Sequence, residues 1–363
     1  MKRNFLLFSL LLAAGCTQNK GVYVDLIDSH RSDVLFSDVF RSVEFIPLES
    51  GTADSITFVN DVLYFKGLNL IRDIPRNAIF CFDDAGKFKF RIGSGGLPPY
   101  DLGSIADFTI NKKEGTIEVF DFSGKIIGFD LSGLPRYARK FNYNLTEFAC
   151  TGNGNYVIYS PNQVNTDGKD TIAPGAFLVD SAGKFKKSIL KITATDYIRP
   201  MNCLSGFGDS IVLVSNYSRD VYLVNNENVT NIFRVGFDER KYKWSQGLIT
   251  SNASGDRMNI IYRRDLSSGD GSSVFLSIDS HKQFFFNKVE NDLYGLPSIM
   301  PYFYQDARTM VGFLLPADLQ LLKQDRFKNV KADPALISQL LTLCGKLKEG
   351  DNPVMVKFHL MMR

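Results

Sequence analysis

Phe82-Asp83-Asp84-Ala85-Gly86-Lys87-Phe88 ends one apolar run, turns, and opens another. The same order returns as Phe129-Asp130-Leu131-Ser132-Gly133-Leu134 and as Leu178-Val179-Asp180-Ser181-Ala182-Gly183-Lys184-Phe185. A degenerate copy is Leu223-Val224-Asn225-Asn226-Glu227-Asn228. Glycine or asparagine suits the tip, because a tight hairpin demands positive φ. The tip positions Gly86, Gly133, Gly183 and Asn228 lie 47, 50 and 45 residues apart. Several short strands fit each interval, so the repeat reads as the blade of a β-propeller. A sandwich gives no reason for a fixed period. Ile278-Asp279-Ser280-His281-Lys282 is a looser copy.

Around these turns the chain is a succession of short strand-like runs, among them 43–48, 62–65, 78–82, 88–92, 116–120 and 125–129. Further runs are 156–159, 176–179, 211–214, 221–224, 273–278 and 283–286. Thirty Phe and 15 Tyr favour β-structure, and most of them are expected between blades. The last fifth changes character. Asp333 before Pro334 pairs an N-cap with a first-turn proline. Leu336, Ile337, Leu340, Leu341, Cys344 and Leu347 then follow helical spacing, and Gly350 lies beyond them. This helix is expected to cover the rim of its own domain. Residues 353–360 return to strand alternation.

Composition narrows the function classes. With 363 residues and 44% hydrophobic content the chain has ample material for a core. A mean hydropathy of −0.07 excludes a polytopic membrane protein. A net charge of +3, from 42 basic and 39 acidic residues, creates no field that gathers nucleic acid.

The N-terminus assigns a compartment. Lys2 and Arg3 precede an apolar stretch at 5–12, and Ala13-Ala14-Gly15 leads into Cys16. This is the layout of a secretory signal, too short to span a bilayer. The small residues before Cys16 resemble the lipobox of bacterial lipoproteins, which implies acylation of Cys16 and a membrane anchor. Segment 1–15 is then a signal peptide, 16–30 a lipidated tether, and 31–363 a single propeller domain. No acidic run follows Cys16, so the expected location is the outer membrane, on its periplasmic face. Cys81, Cys150, Cys203 and Cys344 are widely spaced without Cys-x-x-Cys, which argues against zinc or redox motifs, and burial as thiols is expected.

Three segments carry a family resemblance: Ser42-Val43-Glu44-Phe45-Ile46-Pro47-Leu48-Glu49; Phe82 to Phe90 with Ile92-Gly93, then Ile105-Ala106-Asp107-Phe108-Thr109-Ile110; and Asp351-Asn352-Pro353-Val354-Met355-Val356. They resemble the opening strand, first blade boundary and closing strand of the six-bladed β-propeller lipoproteins of Bacteroidetes, related in blade design to NHL repeats. The resemblance implies an all-β fold, a six-bladed β-propeller closed by N- and C-terminal strands, with a short C-terminal helical insertion. Residues 43–48 and 354–360 should then share or neighbour one sheet. Gly95 to Leu102 stands where the family often carries Gly-Pro-x-Glu-Tyr, with Asp101 at the glutamate position and Leu102 at the tyrosine.

The chemistry is sparse. His30, His281 and His359 lie in different elements, so a three-histidine zinc site is not expected. No Gly-x-Ser-x-Gly elbow or Gly-Lys-Ser/Thr phosphate loop occurs. No catalytic residue, metal or cofactor is therefore assigned. Loop aromatics stack on sugars and peptides, and Tyr100, Tyr294, Tyr302, Phe303 and Tyr304 lie in or near expected loops. The candidate ligand residues are Tyr100, Asp101, Tyr294, Tyr302 and Tyr304. The expected function is non-catalytic binding of a glycan, a peptide or an envelope protein. The alternative is a lyase or hydrolase acting through carboxylates at the funnel.

Overall fold

The computed structural model describes residues 22–25, 32–51, 55–168, 170–193, 203–215, 220–236, 248–254, 257–263, 271–277, 283–293, 301, 303–321 and 333–361. Cys16, His30, His281, Tyr294 and Tyr302 lie outside them. Among the described residues the chain forms six sheets of four or five strands and one two-stranded ribbon.

The first sheet runs in chain order through Asp61–Phe65, Leu68–Asp73, Ala78–Asp83 and Phe88–Gly93. The second uses Ile105–Asn111, Thr116–Asp121, Lys125–Phe129 and Pro135–Lys140. The third uses Glu147–Cys150, Tyr156–Ser160, Gly175–Val179 and Phe185–Lys191, with the ribbon Asn165–Asp167 and Asp170–Ile172 inserted between its middle strands. The fourth and fifth begin at Leu204–Phe207 and Leu248–Ser254. Their last strands, Asn228–Gly236 and Gln283–Glu290, each gain a short parallel neighbour, Val22–Asp25 and Ser32–Leu35. These additions cover sheet edges that would otherwise offer unpaired backbone.

The last sheet closes the ring. Its order is Phe303–Asp306, Thr309–Leu314, Val354–Leu360, Phe40–Pro47, so the N-terminal strand pairs antiparallel with the C-terminal one. Val354 faces Pro47 and Leu360 faces Phe40 across that pair. The expected meeting of 43–48 with 354–360 is therefore found. The first strands of successive sheets also neighbour one another in turn, and Phe303–Asp306 returns to Asp61–Phe65. A closed ring of sheets about an axis is a propeller, with no free edge left at the seam.

Packing lies between sheets. Leu70, Ile79 and Cys81 of the first meet Phe108, Ile110, Ile117 and Val119 of the second. Phe120, Phe141, Phe148, Tyr156 and Phe177 fill the next gap. Phe141 sets its edge against Tyr143 and Tyr156, with centroids 5.2 and 5.5 Å apart. Such offset aromatic pairs contribute about 0.5–1.5 kcal/mol beyond their buried area. Cys81, Cys150, Cys203 and Cys344 are all buried.

The repeated turn has one mechanism. Asp83, Asp130 and Asp180 each turn Oδ1 back onto two backbone N–H groups, at Ala85 and Lys87, Ser132 and Leu134, and Ala182 and Lys184. Gly86, Gly133 and Gly183 follow with φ of 80°, 82° and 82°. A Cβ on Gly86 would stand 2.5 Å from the Pro47 carbonyl oxygen, so this turn leans directly on the closing sheet. The fourth copy is different. Asn225 pairs with Asn228, and the positive φ falls on Asn226 (53°), so the tip is Asn226 and not Asn228. A two-residue turn replaces the longer Asp-x-x-Gly one, which shifts the tip by two positions.

The expected helix is Pro334–Lys346, with the Asp333 side chain accepting from Ala335 N–H. It is inserted before the closing strand and packs Leu340 and Cys344 on the last sheet, with Leu336, Leu343 and Leu347 at the margin. Leu341 is exposed, so the buried stripe is narrower than its sequence pattern. A short helix, Pro316–Leu321, precedes it.

Candidate functional site

In an up-and-down sheet the first strand leaves one face of the ring, and the second strand returns to it. That face therefore carries the starts of the innermost strands, the turns between second and third strands, and the loops between sheets. Among the described residues eight large apolar side chains are exposed, and six of them lie in such segments: Phe58, Ile74, Leu97, Phe122, Val164 and, on the helix between the second and third strands of the last sheet, Leu341. Leu97 is 82% exposed, Phe122 73% and Phe58 54%. Exposed apolar groups on one face offer material for a contact surface.

The loops that bear them are pinned. Asp73 accepts from Thr57 N–H (2.6 Å) and Phe58 N–H (3.4 Å), and Asn60 Oδ1 accepts from Ile74 N–H at 2.7 Å. Asn77 donates to the Gly103 carbonyl (3.1 Å) and accepts from Ile105 N–H (2.7 Å). Phe122 N–H donates to the Ser104 carbonyl at 3.0 Å. Gly95 and Leu102 exchange both backbone bonds at 2.9 Å, closing the loop that holds Leu97. One chain of hydrogen bonds thus joins the loops of the first two sheets.

At the centre of this face three of the six innermost strands carry an acid at or near the start. Asp61 opens the first, Glu147 opens the third, and Asp107 is the third residue of the second. Innermost strands diverge too widely to pair fully through backbone, so these side chains bridge them. Phe148 N–H donates to Asp107 Oδ2 (2.8 Å) and Leu204 N–H to Glu147 Oε2 (2.9 Å). Arg72, paired across the strand with Asp61, reaches into the next sheet. It donates to the carbonyls of Ile105 and Ala106 and to Asp107 Oδ1 at 3.3 Å.

Burial dominates the titration of this mouth. Desolvation raises Asp61, with Arg72 and Val62 N–H opposing. It pushes Asp107 up to about 7 against the pull of Arg72, and Glu147 up to about 8 with the charge of Asp107 adding to the rise. A carboxyl whose folded pKa exceeds its unfolded one holds a proton that the unfolded chain has released. Its contribution to stability is complete below about pH 4 and is lost as pH rises to about 8. Thermal unfolding from pH 4 to 8 should show that decline, and Asp107→Asn with Glu147→Gln should make it shallower. Equal slopes in variant and wild type would show that these acids are not held neutral.

The candidates from sequence are dispersed. Tyr100 is half-buried in the 94–104 loop, on the acid-bearing face, and packs against the core between the first two sheets. Asp101 is exposed, and its pKa is lowered by Lys125, whose Nζ lies 2.9 Å from Oδ1. Tyr304 is buried in the strand Phe303–Asp306. Tyr100 and Asp101 thus border the pinned loops, whereas Tyr304 belongs to the packed closing sheet. His359 lies on the closing strand beside Thr309 and Glu44. Among the described residues no three His, Cys, Asp or Glu side chains are placed to hold a metal ion.

Sequence reasoning passed over Asp61, Arg72, Asp107 and Glu147. A signal existed. Asp61 precedes the turn residue Asp83 by 22 positions and Asp107 precedes Asp130 by 23, so aligning the first two repeats would have stacked an acid in both innermost strands.

Comparison with known proteins adds fold and family. The crystal structure of a "Putative exported protein" from Bacteroides fragilis superposes with a TM-score of 0.71 at 13% identity, covering 94% of this chain and 99% of that one. A member of the DUF4221 family from Bacteroides vulgatus gives a TM-score of 0.50 at 9% identity, over 90% and 98% of the two chains. No curated protein matches. Residues 23–359 match the model of a domain of unknown function, DUF4934, and the chain belongs to that family.

Proposed function

We propose that this protein is an exported, lipid-anchored, six-bladed propeller that binds a ligand or partner without transforming it. The six sheets of four or five strands and the ring of their innermost strands support the blade number. Export is supported by the signal-like N-terminus and by the likeness to the Bacteroides fragilis protein described as exported. The lipid anchor rests on Cys16 alone. One observation carries the binding reading: large apolar side chains stand exposed on loops whose backbone is already fixed. Such a surface binds without the entropic cost of ordering itself.

A second reading has its own observation. Neighbouring carboxyls with raised pKa values are the equipment of acid–base catalysis, and Asp107 and Glu147 answer that description. Their contacts favour the first reading, because both Asp107 oxygens and one of Glu147 are already committed to holding strands together. Screening the purified protein against glycan and peptide libraries, with product analysis, tests the choice. Binding without turnover is expected. Turnover abolished by Asp107→Asn would overturn the proposal.

A further inference from the structure

We propose that the outer edges of the second and third sheets form a basic rim that lies on an anionic phospholipid surface, with Leu134 entering the headgroup layer. This rests on the lipid-anchor reading above and adds how the ring stands on its membrane.

Charge along the outer strands is one-sided. Phe88–Gly93, Pro135–Lys140 and Phe185–Lys191 hold eight Lys or Arg and no Asp or Glu, in a chain whose totals are 42 and 39. Among the described residues these three strands end their sheets without a further neighbour. The outer strands of the fourth and fifth sheets are instead covered by Val22–Asp25 and Ser32–Leu35. Charge on a free edge blocks pairing with another chain, but either sign serves that purpose. The outer strand of the last sheet, Phe40–Pro47, mixes Arg41 with Glu44. Edge protection therefore accounts for charge and leaves the single sign unexplained.

The cations lie on one continuous arc, because each outer strand touches the turn that opens the next. A Cβ on Gly133 would stand 2.6 Å from the Phe90 ring, Arg139 Nη1 donates to the Ser181 carbonyl at 2.8 Å, and Lys186 lies 3.4 Å from Glu227. The acids of the intervening turns, Asp83, Asp130 and Asp180, are turned onto backbone N–H groups. Lys140, Lys184 and Lys191 are exposed, and among the described residues no acid pairs with their side chains.

Two observations favour a bilayer over an acidic polypeptide. Val22 pairs with Phe233 on the outer strand of the fourth sheet, beside the third, and Cys16 precedes it by six residues. Six residues reach about 20 Å at most, so an acyl chain on Cys16 brings this side of the ring to the lipid. Leu134 is 62% exposed and directly precedes the second sheet's outer strand, two residues before Arg136. An apolar side chain beside cations suits a surface that offers anionic headgroups over an apolar layer. A flat surface meets neighbouring edges of a ring together, and its potential extends about 10 Å at 0.1 M salt, so cations of both edges contribute.

The test uses the purified full chain with Cys16→Ser, which leaves no thiol there to acylate, sedimented with vesicles. Vesicles of phosphatidylcholine and phosphatidylglycerol in a three-to-one ratio should bind it about tenfold more tightly than phosphatidylcholine alone. Lys140→Gln with Lys184→Gln should remove about tenfold of that affinity, and Leu134→Ser should weaken it further. Lys346→Gln with Lys348→Gln, on and just beyond the C-terminal helix, changes net charge equally and should leave binding unchanged. Unchanged thermal unfolding confirms that each variant is folded. Equal binding to both vesicles, no binding, or an equal loss in the helix variant overturns the proposal. Hexaglutamate bound as tightly as the anionic vesicles assigns the arc to an acidic polypeptide and also overturns it. The mass of the wild-type protein from native membranes tests the anchor separately. Acylated protein whose Cys16→Ser form ignores anionic vesicles keeps the anchor and loses the rim. Protein without acyl mass loses the anchor, and with it the proposed orientation, whatever the vesicles show.

Discussion

Replacing Arg139 with methionine should destabilise the protein by about 3 kcal/mol, although the residue lies on an outer strand and its side chain is 30% exposed. The reason is Glu118, whose carboxylate is fully buried between the second and third sheets. Arg139 Nη2 donates to Glu118 Oε1 at 2.7 Å, and Tyr137, Tyr156 (2.9 Å) and Asn111 (3.1 Å) donate to the same oxygen. The guanidinium lies 5.2 Å from the ring centroids of both Tyr137 and Tyr156 and donates to the Ser181 carbonyl at 2.8 Å. Burial beside the Glu118 charge raises the pKa of both tyrosines, which remain donors throughout the accessible range. Methionine keeps much of the apolar stem and removes the counter-charge, so an uncompensated carboxylate is left in the interior. An exposed ion pair would cost less than about 1 kcal/mol to break. Urea unfolding decides between these magnitudes. Glu118→Gln in the Arg139→Met background should restore more than half of the loss, because the amide needs no cation. A loss under about 1 kcal/mol, or no recovery in the double variant, would show that the tyrosines and Asn111 suffice for Glu118.

The acidic mouth has a cause in the architecture. A propeller packs twisted sheets face to face around an axis, and their innermost strands cannot complete each other's hydrogen bonds. Polar side chains must supply them. Asp107 and Glu147 do so at one end of the ring, and Thr109 Oγ1 does so for Cys150 N–H at 3.2 Å. At the seam Lys357, 8% exposed, reaches Asp84 Oδ1 at 3.1 Å, where Tyr64 and Gln305 also converge. The acids of the mouth are therefore needed by the fold before any ligand is considered, and a binding surface built around them inherits a rigid, charged centre.

This explains what could be read in the chain. The Asp-x-x-Gly turns were legible because their cause is local: one carboxylate caps two N–H groups and one glycine takes the positive φ. The closing pair was legible because strand alternation marks both partners, and closure forces them together. The helix start at Asp333-Pro334 was legible for the same local reason. Its buried stripe was overestimated, since helical spacing does not reveal which flank meets the sheet, and Leu341 faces water. The mouth was not legible as a site. Asp61, Asp107 and Glu147 lie 46 and 40 residues apart and meet only after three sheets assemble, and no local pattern separates them from other acids. Tyr304 shows the converse. It was expected in or near a loop, whereas pairing with Met310 places it in a buried strand.

Asn352→Ala should cost about 3 kcal/mol, as large an effect as losing a buried ion pair, because Asn352 fastens the seam of the ring. It is 1% exposed and sits just before the closing strand. Its Oδ1 accepts from Ile56 N–H at 2.8 Å, its Nδ2 donates to the Glu49 carbonyl at 2.7 Å, and its own N–H donates to Ser50 Oγ at 2.9 Å. These bonds hold the segment that leaves the closing sheet for the first. Alanine keeps only the backbone bond and strands a buried donor and a carbonyl, each costing about 1–3 kcal/mol when left unmade. Asn352→Asp separates the two halves of the role. It preserves the acceptor for Ile56 N–H but sets a carboxylate oxygen against the Glu49 carbonyl. At neutral pH it should destabilise at least as much as alanine. Below about pH 4 the protonated acid donates to that carbonyl, and much of the loss should return relative to wild type at the same pH. Thermal unfolding of the three proteins at pH 3.5 and 7 provides the comparison. An aspartate variant with no such recovery, or an alanine variant within about 0.5 kcal/mol of wild type, would mean that strand pairing alone secures the seam.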